Sequence, residues 1–350
     1  ISESAMPETR FLLESAQDPD VGNNSLQLYS ISSNEYFHVY TGRRNDGRRY
    51  AELVLDRALD REQQAGVAFS ITAVDGGNPP RSGTALIHVV LVDINDNIPV
   101  FTRSLYKVPV RENISQDTLV VVVSASDLDS GTNGEIAYSI VQNSKENFET
   151  FKINPETGQI RLKKPLDYEE TKTYEIDVQA TDGGGLSGHC KVEVQVEDVN
   201  DNVPEVIITS LTSMLSEAAP LNTVVALFNV ARDLDIGSNR VQAYSVIPEN
   251  EYFSVSYGSR SNGDKYVELV LEKSLDREEQ AEMDFSLTAV DGGSPARSGT
   301  TQIHIEVLDV NDNAPVFSQD RYTSQVLEDT PEGSLVLSVL ATDQDTGING

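Results

Sequence analysis

Asp198-Val199-Asn200-Asp201-Asn202-Val203-Pro204 recurs as Asp93-Ile94-Asn95-Asp96-Asn97-Ile98-Pro99 and as Asp309-Val310-Asn311-Asp312-Asn313-Ala314-Pro315, at spacings of 105 and 111 residues. Each copy follows an alternating apolar run and ends in proline, so it reads as an acidic linker leaving a strand. A chain punctuated in this way is modular, and about 100 residues is enough for one hydrophobic core. The functional question is what the linker binds.

Composition narrows the answer. With 56 Asp and Glu against 26 Lys and Arg, the formal charge of −30 excludes a nucleic-acid backbone as partner. Such a charge often marks disorder, but 38% of the residues are apolar and fall in regular strand-like runs. A folded chain that recruits cations fits better. The single cysteine, Cys190, excludes an intramolecular disulfide framework, so something else must stiffen the modules. No apolar run approaches the roughly 18 residues that span a bilayer. Ile1 begins no signal peptide, and the expectation is an excised fragment that opens inside a strand and stops at Gly350.

The run before each linker has period two. Ile87, Val89 and Leu91 point one way and Leu86, His88 and Val90 the other; Val192, Val194 and Val196 alternate with Lys191, Glu193 and Gln195, and Ile303, Ile305 and Val307 repeat the phase. Further strand-like runs are Thr118–Ser124, Tyr174–Ala180, Glu268–Leu271 and Phe285–Ala289, separated by turns such as Asp75-Gly76-Gly77 and Asn154-Pro155. No long helical period competes. The fold class expected is all-β, with tandem Greek-key sandwich modules of about seven strands each. The modules cover 1–97, 98–203 and 204–313, with the start of another at 314–350, set end to end as a rod. The stretch from about Ala16 onward is echoed from Ala231 onward, offset by 215 to 216: Tyr36-Phe37 returns as Tyr252-Phe253 and Arg81-Ser82-Gly83-Thr84 as Arg297-Ser298-Gly299-Thr300. Modules one and three are sisters.

Besides the linkers, every module carries acids at recurrent places. A module's early Glu and its Asp-x-Glu should meet the linker that leaves it and the entry loops of the next module. The first junction then gathers Glu3, Asp60, Glu62, Asp93, Asn95, Asp96, Asn97, Asp127, Asp129, Asn133 and Asp182. The second gathers Glu112, Asp167, Glu169, Asp198, Asn200, Asp201, Asn202, Asp233, Asp235, Asn239 and Asp291. The third gathers Glu217, Asp276, Glu278, Asp309, Asn311, Asp312, Asn313, Asp343, Asp345 and Asn349, and is expected to be partial. Asp18, Asp20, Asn24 and Asp75 are expected to be half of one more site.

Two carboxylates about 5 Å apart repel by roughly 3 kcal/mol at an effective dielectric near 20, so eight together need a hard cation. Eight carboxylates offer about 16 oxygens, and the Asn200 side chain with the carbonyls of Val199, Asn202 and Asn239 adds about four. At about 6 to 8 oxygens per Ca2+, that serves about three ions per complete junction, with Ile94 and Val310 matching Val199 in the other linkers. Mg2+ takes fewer protein oxygens and a stricter octahedron. A lone Asp-Gly or Asn-Asp is ordinarily a self-capping turn, but four separated acidic motifs recurring in register are not explained that way. Asp127-Leu128-Asp129-Ser130-Gly131-Thr132-Asn133 lacks the sixth-position glycine, the late glutamate and the flanking helices of an EF-hand.

Other residues carry weaker signals. Asn113-Ile114-Ser115 is a glycosylation sequon, and Asn23-Asn24-Ser25 is another that a calcium loop would crowd. Cys190, placed just before a closing strand, reads as a buried inert thiol, and His38, His88, His189 and His304 show no metal-ligand spacing. His38–Tyr50 and Ser256–Tyr266 are candidate contact hairpins.

The linker Asp-x-Asn-Asp-Asn, Leu59-Asp60-Arg61-Glu62 with Leu275-Asp276-Arg277-Glu278, and Ala73-Val74-Asp75-Gly76-Gly77 resemble the extracellular repeats of cadherins across essentially the whole chain. Asp18-Pro19-Asp20-Val21-Gly22, Ile1-Ser2-Glu3-Ser4-Ala5 and His189-Cys190-Lys191-Val192 resemble repeats two and three of the clustered protocadherins. From about Ala231 the third module resembles a second repeat again. The resemblance implies single-pass receptors at the extracellular face of the plasma membrane, calcium between repeats, and homophilic recognition. The partner would be the same or a closely related protein on an apposed cell, in an antiparallel dimer. The tryptophan exchange of classical cadherins is not available to a chain with no tryptophan.

Two other functions compete. One is a calcium-stiffened structural or heterophilic receptor. The other is a calcium-dependent glycan-acting protein using paired carboxylates. Acids that recur alike in every module behave as structural sites do, so no enzyme is expected.

Overall fold

The computed structural model describes residues 1–141, 145–259 and 265–350. The candidate hairpin Ser256–Tyr266 lies in part outside them. The chain forms two compact units, Ile1–Asp167 with Thr171–Val196, and Tyr168–Glu170 with Glu197–Gly350.

The first unit holds two sandwiches. In the first of them, Arg49–Leu55 lies between Arg10–Leu12 and Phe37–Arg43, and Gly66–Asp75 lies between Leu26–Ile31 and Ser82–Val90. Alternation decides which side of each strand meets the other sheet. Val89 and Leu91 are buried at 7% and 6% exposure while Leu86 and Val90 stand at 66% and 69%, the phase expected of a strand with one wet face. Phe37 and Phe69 meet at the centre with ring centroids 5.7 Å apart.

In the second sandwich, Ala137–Ile140, Thr173–Thr181, Ser187–Glu197 and Leu105–Arg111 form one sheet in that order, and Phe151–Ile153, Gln159–Leu162 and Leu119–Val122 the other. Tyr174, Ile176, Val178 and Ala180 alternate inward against Val192 and Val194. Two details differ from the sequence reading. Lys145–Thr150 forms a short helix, too brief for its period to register against the surrounding strands. Cys190 lies inside Ser187–Glu197 and not before it, 4% exposed, and burial pushes its thiol up to about 11. At that value it is an inert core residue.

The second unit contains the third sandwich. One sheet runs Ile208–Leu211, Val224–Asn229, Lys265–Leu271, Phe253–Ser259, and the other Met214–Ser216, Ser298–Leu308, Glu282–Asp291, Val241–Ile247. The opening strand is thus divided between the sheets, and its second half pairs in parallel with Ser298–Leu308. Strand order and crossovers are those of a Greek key. Phe253 and Phe285, the counterparts of Phe37 and Phe69, stack at 5.0 Å over Leu269, Leu271 and Leu287. After the third linker, Val316–Phe317 pairs with Ala341–Thr342.

Removing a ring from such a core costs its transfer free energy plus a cavity. Phe253→Ala should destabilise the third sandwich by about 3 to 5 kcal/mol. Leu86→Ser, at an exposed position of the first, should stay within about 0.5 kcal/mol. Urea unfolding of the two variants in calcium, followed by circular dichroism, checks both values.

Candidate metal centre

The first and third linkers each leave a sandwich immediately after its closing strand, and a buried glutamate catches each of them there. Glu3, 5% exposed, accepts the amide of Ile94 (2.8 Å) with one oxygen and that of Arg61 (2.7 Å) with the other. One carboxylate thereby ties the linker to the Leu59-Asp60-Arg61-Glu62 loop. Glu217 does the same with Val310 (2.5 Å) and Arg277 (2.8 Å).

The next sandwich supplies the other wall. Asp93 accepts the amide of Ser130 (3.0 Å) and the Asn133 side chain (2.8 Å), and it pairs with the Arg61 guanidinium. Asn97 donates its backbone amide (3.2 Å) and its side-chain nitrogen (2.7 Å) to Asp129, and the same nitrogen to Asp96 (2.8 Å). Asp129 in turn folds its loop by donating its amide to Asp127 (2.9 Å). Asn95 reaches Asp182 (3.2 Å), whose Oδ1 also accepts the amides of Gly184, Gly185 and Leu186. The approach is close: a Cβ on Gly184 would lie 2.1 Å from the Asn95 amide, so only glycine fits.

The result is acid packed against acid. Oxygens of Glu3, Glu62 and Asp93 lie within 4.8 Å of one another, as do those of Glu62, Asp96 and Asp129. Burial, together with repulsion from Glu3, Asp129, Asp60 and Asp93, pushes the Asp96 carboxyl above the usual range. Burial and repulsion from Glu3 do the same to Glu62. At Asp93, burial works in that direction too, but the Asn133, Ser130 and Arg61 donors outweigh it and hold the carboxyl low.

The third linker reproduces this arrangement. Asp309 takes the Asn349 side chain (2.8 Å) and the Thr346 amide (3.3 Å), which hold its carboxyl low, and Asn313 bonds Asp345 (2.9 Å) and Asp312 (2.8 Å). Oxygens of Glu217, Glu278 and Asp312 cluster beside an acidic cleft of about 360 Å³. Asp343 caps Asp345 (3.0 Å). At the second linker, Asp198 takes Asn239 (2.8 Å) and Ile236 (3.3 Å), Asn202 bonds Asp235 and Asp201 (2.8 Å each), and oxygens of Glu169, Asp201 and Asp235 cluster. Asp235 is fully buried, and burial with repulsion from Asp235 and Asp291 raises Asp233. Glu112, in the first unit, is buried at 2% and Asp167 is exposed.

Certain buried side-chain oxygens have no hydrogen-bond donor among the described residues. They include Asn95 Oδ1, Asp127 Oδ2 and Asp182 Oδ2 around the first linker, and Asn200 Oδ1, Asp233 Oδ2 and Asp291 Oδ2 around the second. The same triplet recurs at matching positions. Buried oxygens are normally satisfied, so a recurring unsatisfied triplet points to an acceptor-seeking partner such as a hard cation.

Some of the expected acids also fold the loops that carry them. Asp60 and Asp276 are exposed and cap their own turns, Asp60 on Gln63 (2.9 Å) and Asp276 on Glu279 (3.1 Å). Asp75 turns its Oδ1 to Gly77 and Arg81, Asp18 caps Asp20 (3.0 Å), and Asp20 and Asn24 are exposed. Arg61 and Arg277 were missed. Each guanidinium, 15% exposed, pairs with the glutamate beside it and the first linker aspartate, and donates to a carbonyl of the next module, Leu128 or Gln344 (2.9 Å each). The signal was the basic residue inside each Asp-x-Glu; module two has Tyr168 there.

Carboxyls pushed up by burial and by their acidic neighbours oppose folding when ionised, so their contribution is present below the unfolded pKa and is lost as pH rises through the raised folded value. In chelator, the melting temperature should therefore rise as pH is lowered from 7 toward the region just above the ordinary carboxylate range of about 4. Asp93 and Asp309, held low, lose their contribution only below that range. Calorimetry in EGTA across this window tests the sign, and a melting temperature that falls throughout would contradict it.

Comparison with known proteins gives a consistent result. The cadherin domain family matches residues 1–92, 106–197 and 212–308. Protocadherin beta-1 of Homo sapiens is 47% identical over 350 residues, all of this chain and 42% of that protein. The chain thus spans about two-fifths of this relative. Among solved structures, Protocadherin Gamma B2 extracellular cadherin domains 1-5 superposes with a TM-score of 0.87 at 42% identity, covering 100% of this chain and 65% of that one. The Protocadherin GammaB4 extracellular domain gives 0.90 at 40% identity, covering 100% and 54%.

Proposed function

Because the chain belongs to the cadherin family, whose members are adhesion proteins and not enzymes, we infer that it is a calcium-dependent ectodomain for adhesion and recognition between cells. Family ectodomains bind Ca2+ between repeats. The observation that carries the reading to this chain is the recurring triplet of buried oxygens without donors, Asn95, Asp127 and Asp182, then Asn200, Asp233 and Asp291. Hard oxygens in excess, from loops as well as strands, suit calcium better than magnesium.

At the first linker, Glu3, Glu62, Asp93, Asp96, Asp127, Asp129 and Asp182 with Asn95 would hold about three ions. Glu217, Glu278, Asp309, Asp312, Asp343 and Asp345 would act at the third. At the second, Glu169, Asp198, Asp201, Asp233, Asp235 and Asp291 with Asn200 would serve. Bound calcium offsets the clustered charge and couples the linker to the loops on either side. The chain's own residues prepare that state: Glu3 and Glu217 fix the linker backbone, and Asn97, Asn133, Asn313 and Asn349 hold the aspartates in place. The modules would then be set as a stiff rod, so that weak contacts add along it and across many copies.

The partner in this reading is the same or a closely related protein on an apposed cell, met antiparallel. The whole protein would be membrane-anchored; no helix among the described residues is long and apolar enough to cross a membrane. Asn113 is exposed at its turn, as a glycosylated asparagine must be.

Small-angle scattering of the chain in about 1 mM calcium, within the range of extracellular sites, and then in chelator should show a changed maximum dimension. An unchanged one would remove calcium as the stiffening agent. Cells expressing this chain within its full-length protein, mixed with cells expressing a relative, should sort into separate aggregates. Intermixing would favour a heterophilic receptor.

A further inference from the structure

Arg43-Arg44-Asn45-Asp46-Gly47-Arg48-Arg49 sets four cations against one anion in a chain whose formal charge is −30. It closes the hairpin of Phe37–Arg43 and Arg49–Leu55. Arg44 donates its amide to the Arg48 carbonyl (2.8 Å), and Gly47, at a φ of 89°, donates to that of Arg44 (2.9 Å). The Asp46 carboxylate accepts the Arg48 amide (3.0 Å), and its ion pair with the same residue's exposed guanidinium is a loose 3.8 Å. The anion is thus spent on shaping the turn. Among the described residues, Arg43, Arg44 and Arg49 have no carboxylate within ion-pair reach. Arg43 and Arg49 stand directly opposite each other on the ladder, with Cβ atoms about 5 Å apart, where like charges oppose pairing.

Beside the tip, the other face of the hairpin is aromatic. Tyr50 lies across Gly42 on the facing strand, where a Cβ would be 2.2 Å from its ring, and Arg44 stands 5.9 Å from the ring centre. On the same face Tyr40 is 45% exposed, with Arg10 4.8 Å from its ring centre. Glu52, opposite Tyr40, is engaged by Arg10 (3.0 Å). The sister hairpin of module three keeps the glycine and the tyrosine as Gly258 and Tyr266, but has Ser256 for Tyr40, Ser259 for Arg43 and Lys265 for Arg49. The fold therefore does not require the arginines or the second ring. Nor does the position serve a junction: in module two, which has a module before it, the corresponding turn, 154–157, is exposed and keeps its hydrogen bonds within its own module.

We propose that this hairpin binds a sulfated glycan chain, with Arg43, Arg44, Arg48 and Arg49 on its sulfates and Tyr40 and Tyr50 beneath its sugar rings. Basic runs of this density suit nucleic acid or heparin-like chains. Guanidinium forks match oxyanions two bonds at a time, and flat aromatic rings offer an apolar platform between them. A tip two strands wide fits one thin chain and not a duplex, whose sites bury roughly 1,000 Å² or more of protein. Preferring a glycan to single-stranded nucleic acid rests on the extracellular placement proposed above. The other acids of the chain do not forbid the site, because exposed charges are screened beyond about 8 Å at physiological ionic strength. The hairpin contains none of the residues assigned to calcium, so its test stands apart from that reading.

The probe is a fluorescent heparin octasaccharide, titrated into the whole 350-residue chain in calcium at physiological salt and read by anisotropy. Saturable binding below roughly 100 μM is expected, falling as salt rises and weakened by about tenfold or more in the double variant Arg43→Ser, Arg48→Ser. Both side chains are exposed, so that variant should keep the native circular dichroism. Tyr40→Ser should weaken binding by about threefold at an unchanged salt dependence, a split that charge alone would not give. In the unmodified chain, hydrogen exchange should slow over 37–55 and nowhere else, which keeps the test independent of the variants. No saturation, protection elsewhere, or equal binding by the double variant would overturn the proposal, as would equal binding of the octasaccharide stripped of its sulfates. A single-stranded DNA of the same charge bound as tightly would overturn the glycan as occupant.

Discussion

Like charges held close together are the constraint that organises this protein. Carboxylates whose oxygens lie within 4.8 Å of one another repel by roughly 3 kcal/mol a pair at an effective dielectric near 20. Nothing in a hydrophobic core opposes that force. What opposes it here is an array of donors: backbone amides on Glu3 and Glu217, asparagine side chains on Asp93, Asp129, Asp309 and Asp345, and the guanidinium groups of Arg61 and Arg277. The amides hold the acids in position without cancelling their charge and the two guanidinium groups offset only part of it, while burial and the remaining repulsion raise the carboxyls of Asp96, Asp233 and Asp312.

The sandwiches are the frames that make such crowding possible. Each strand pair ends in a loop whose backbone is fixed by the ladder behind it, so Asp-Gly corners and Leu-Asp-x-Glu turns arrive at the linker already shaped. Close packing then leaves little tolerance, as at Gly184 and Gly293, where a Cβ would lie 2.1 Å from a linker asparagine. The stacked Phe253 and Phe285 and their counterparts Phe37 and Phe69 belong to the same scheme, with interior geometry conserved between sister modules. Their outer faces differ: Leu86 and Val90 of module one become Gln302 and Glu306 in module three.

Much of this was legible in the sequence because both governing signals are local and repeated. Period two at Val192, Val194 and Val196 reports a half-buried strand directly, and an acidic linker at regular spacing reports a boundary. Less visible were features that depend on partners far along the chain. Counting acids could not show that Asp60 and Asp276 cap their own turns, or that Arg61 and Arg277 turn inward rather than out to solvent. The helix Lys145–Thr150 is shorter than two turns and leaves no period to read.

The linker asparagines have a handedness of function that the word polar conceals. Asn95 gives its nitrogen to Asp182, and Asn200 gives its nitrogen to the Pro295 carbonyl, and each is left with its buried oxygen facing the other way. The amide is a one-way connector, its nitrogen spent on an acceptor of the protein and its buried oxygen left without a donor among the described residues. An aspartate has the same size and would offer a metal more charge, yet it has no donor for the protein side and would replace a cross-link with a repulsion. The alternation of acid and amide in Asp-x-Asn-Asp-Asn is therefore an ordered code rather than a composition, in which exchanging two letters of equal size changes the meaning.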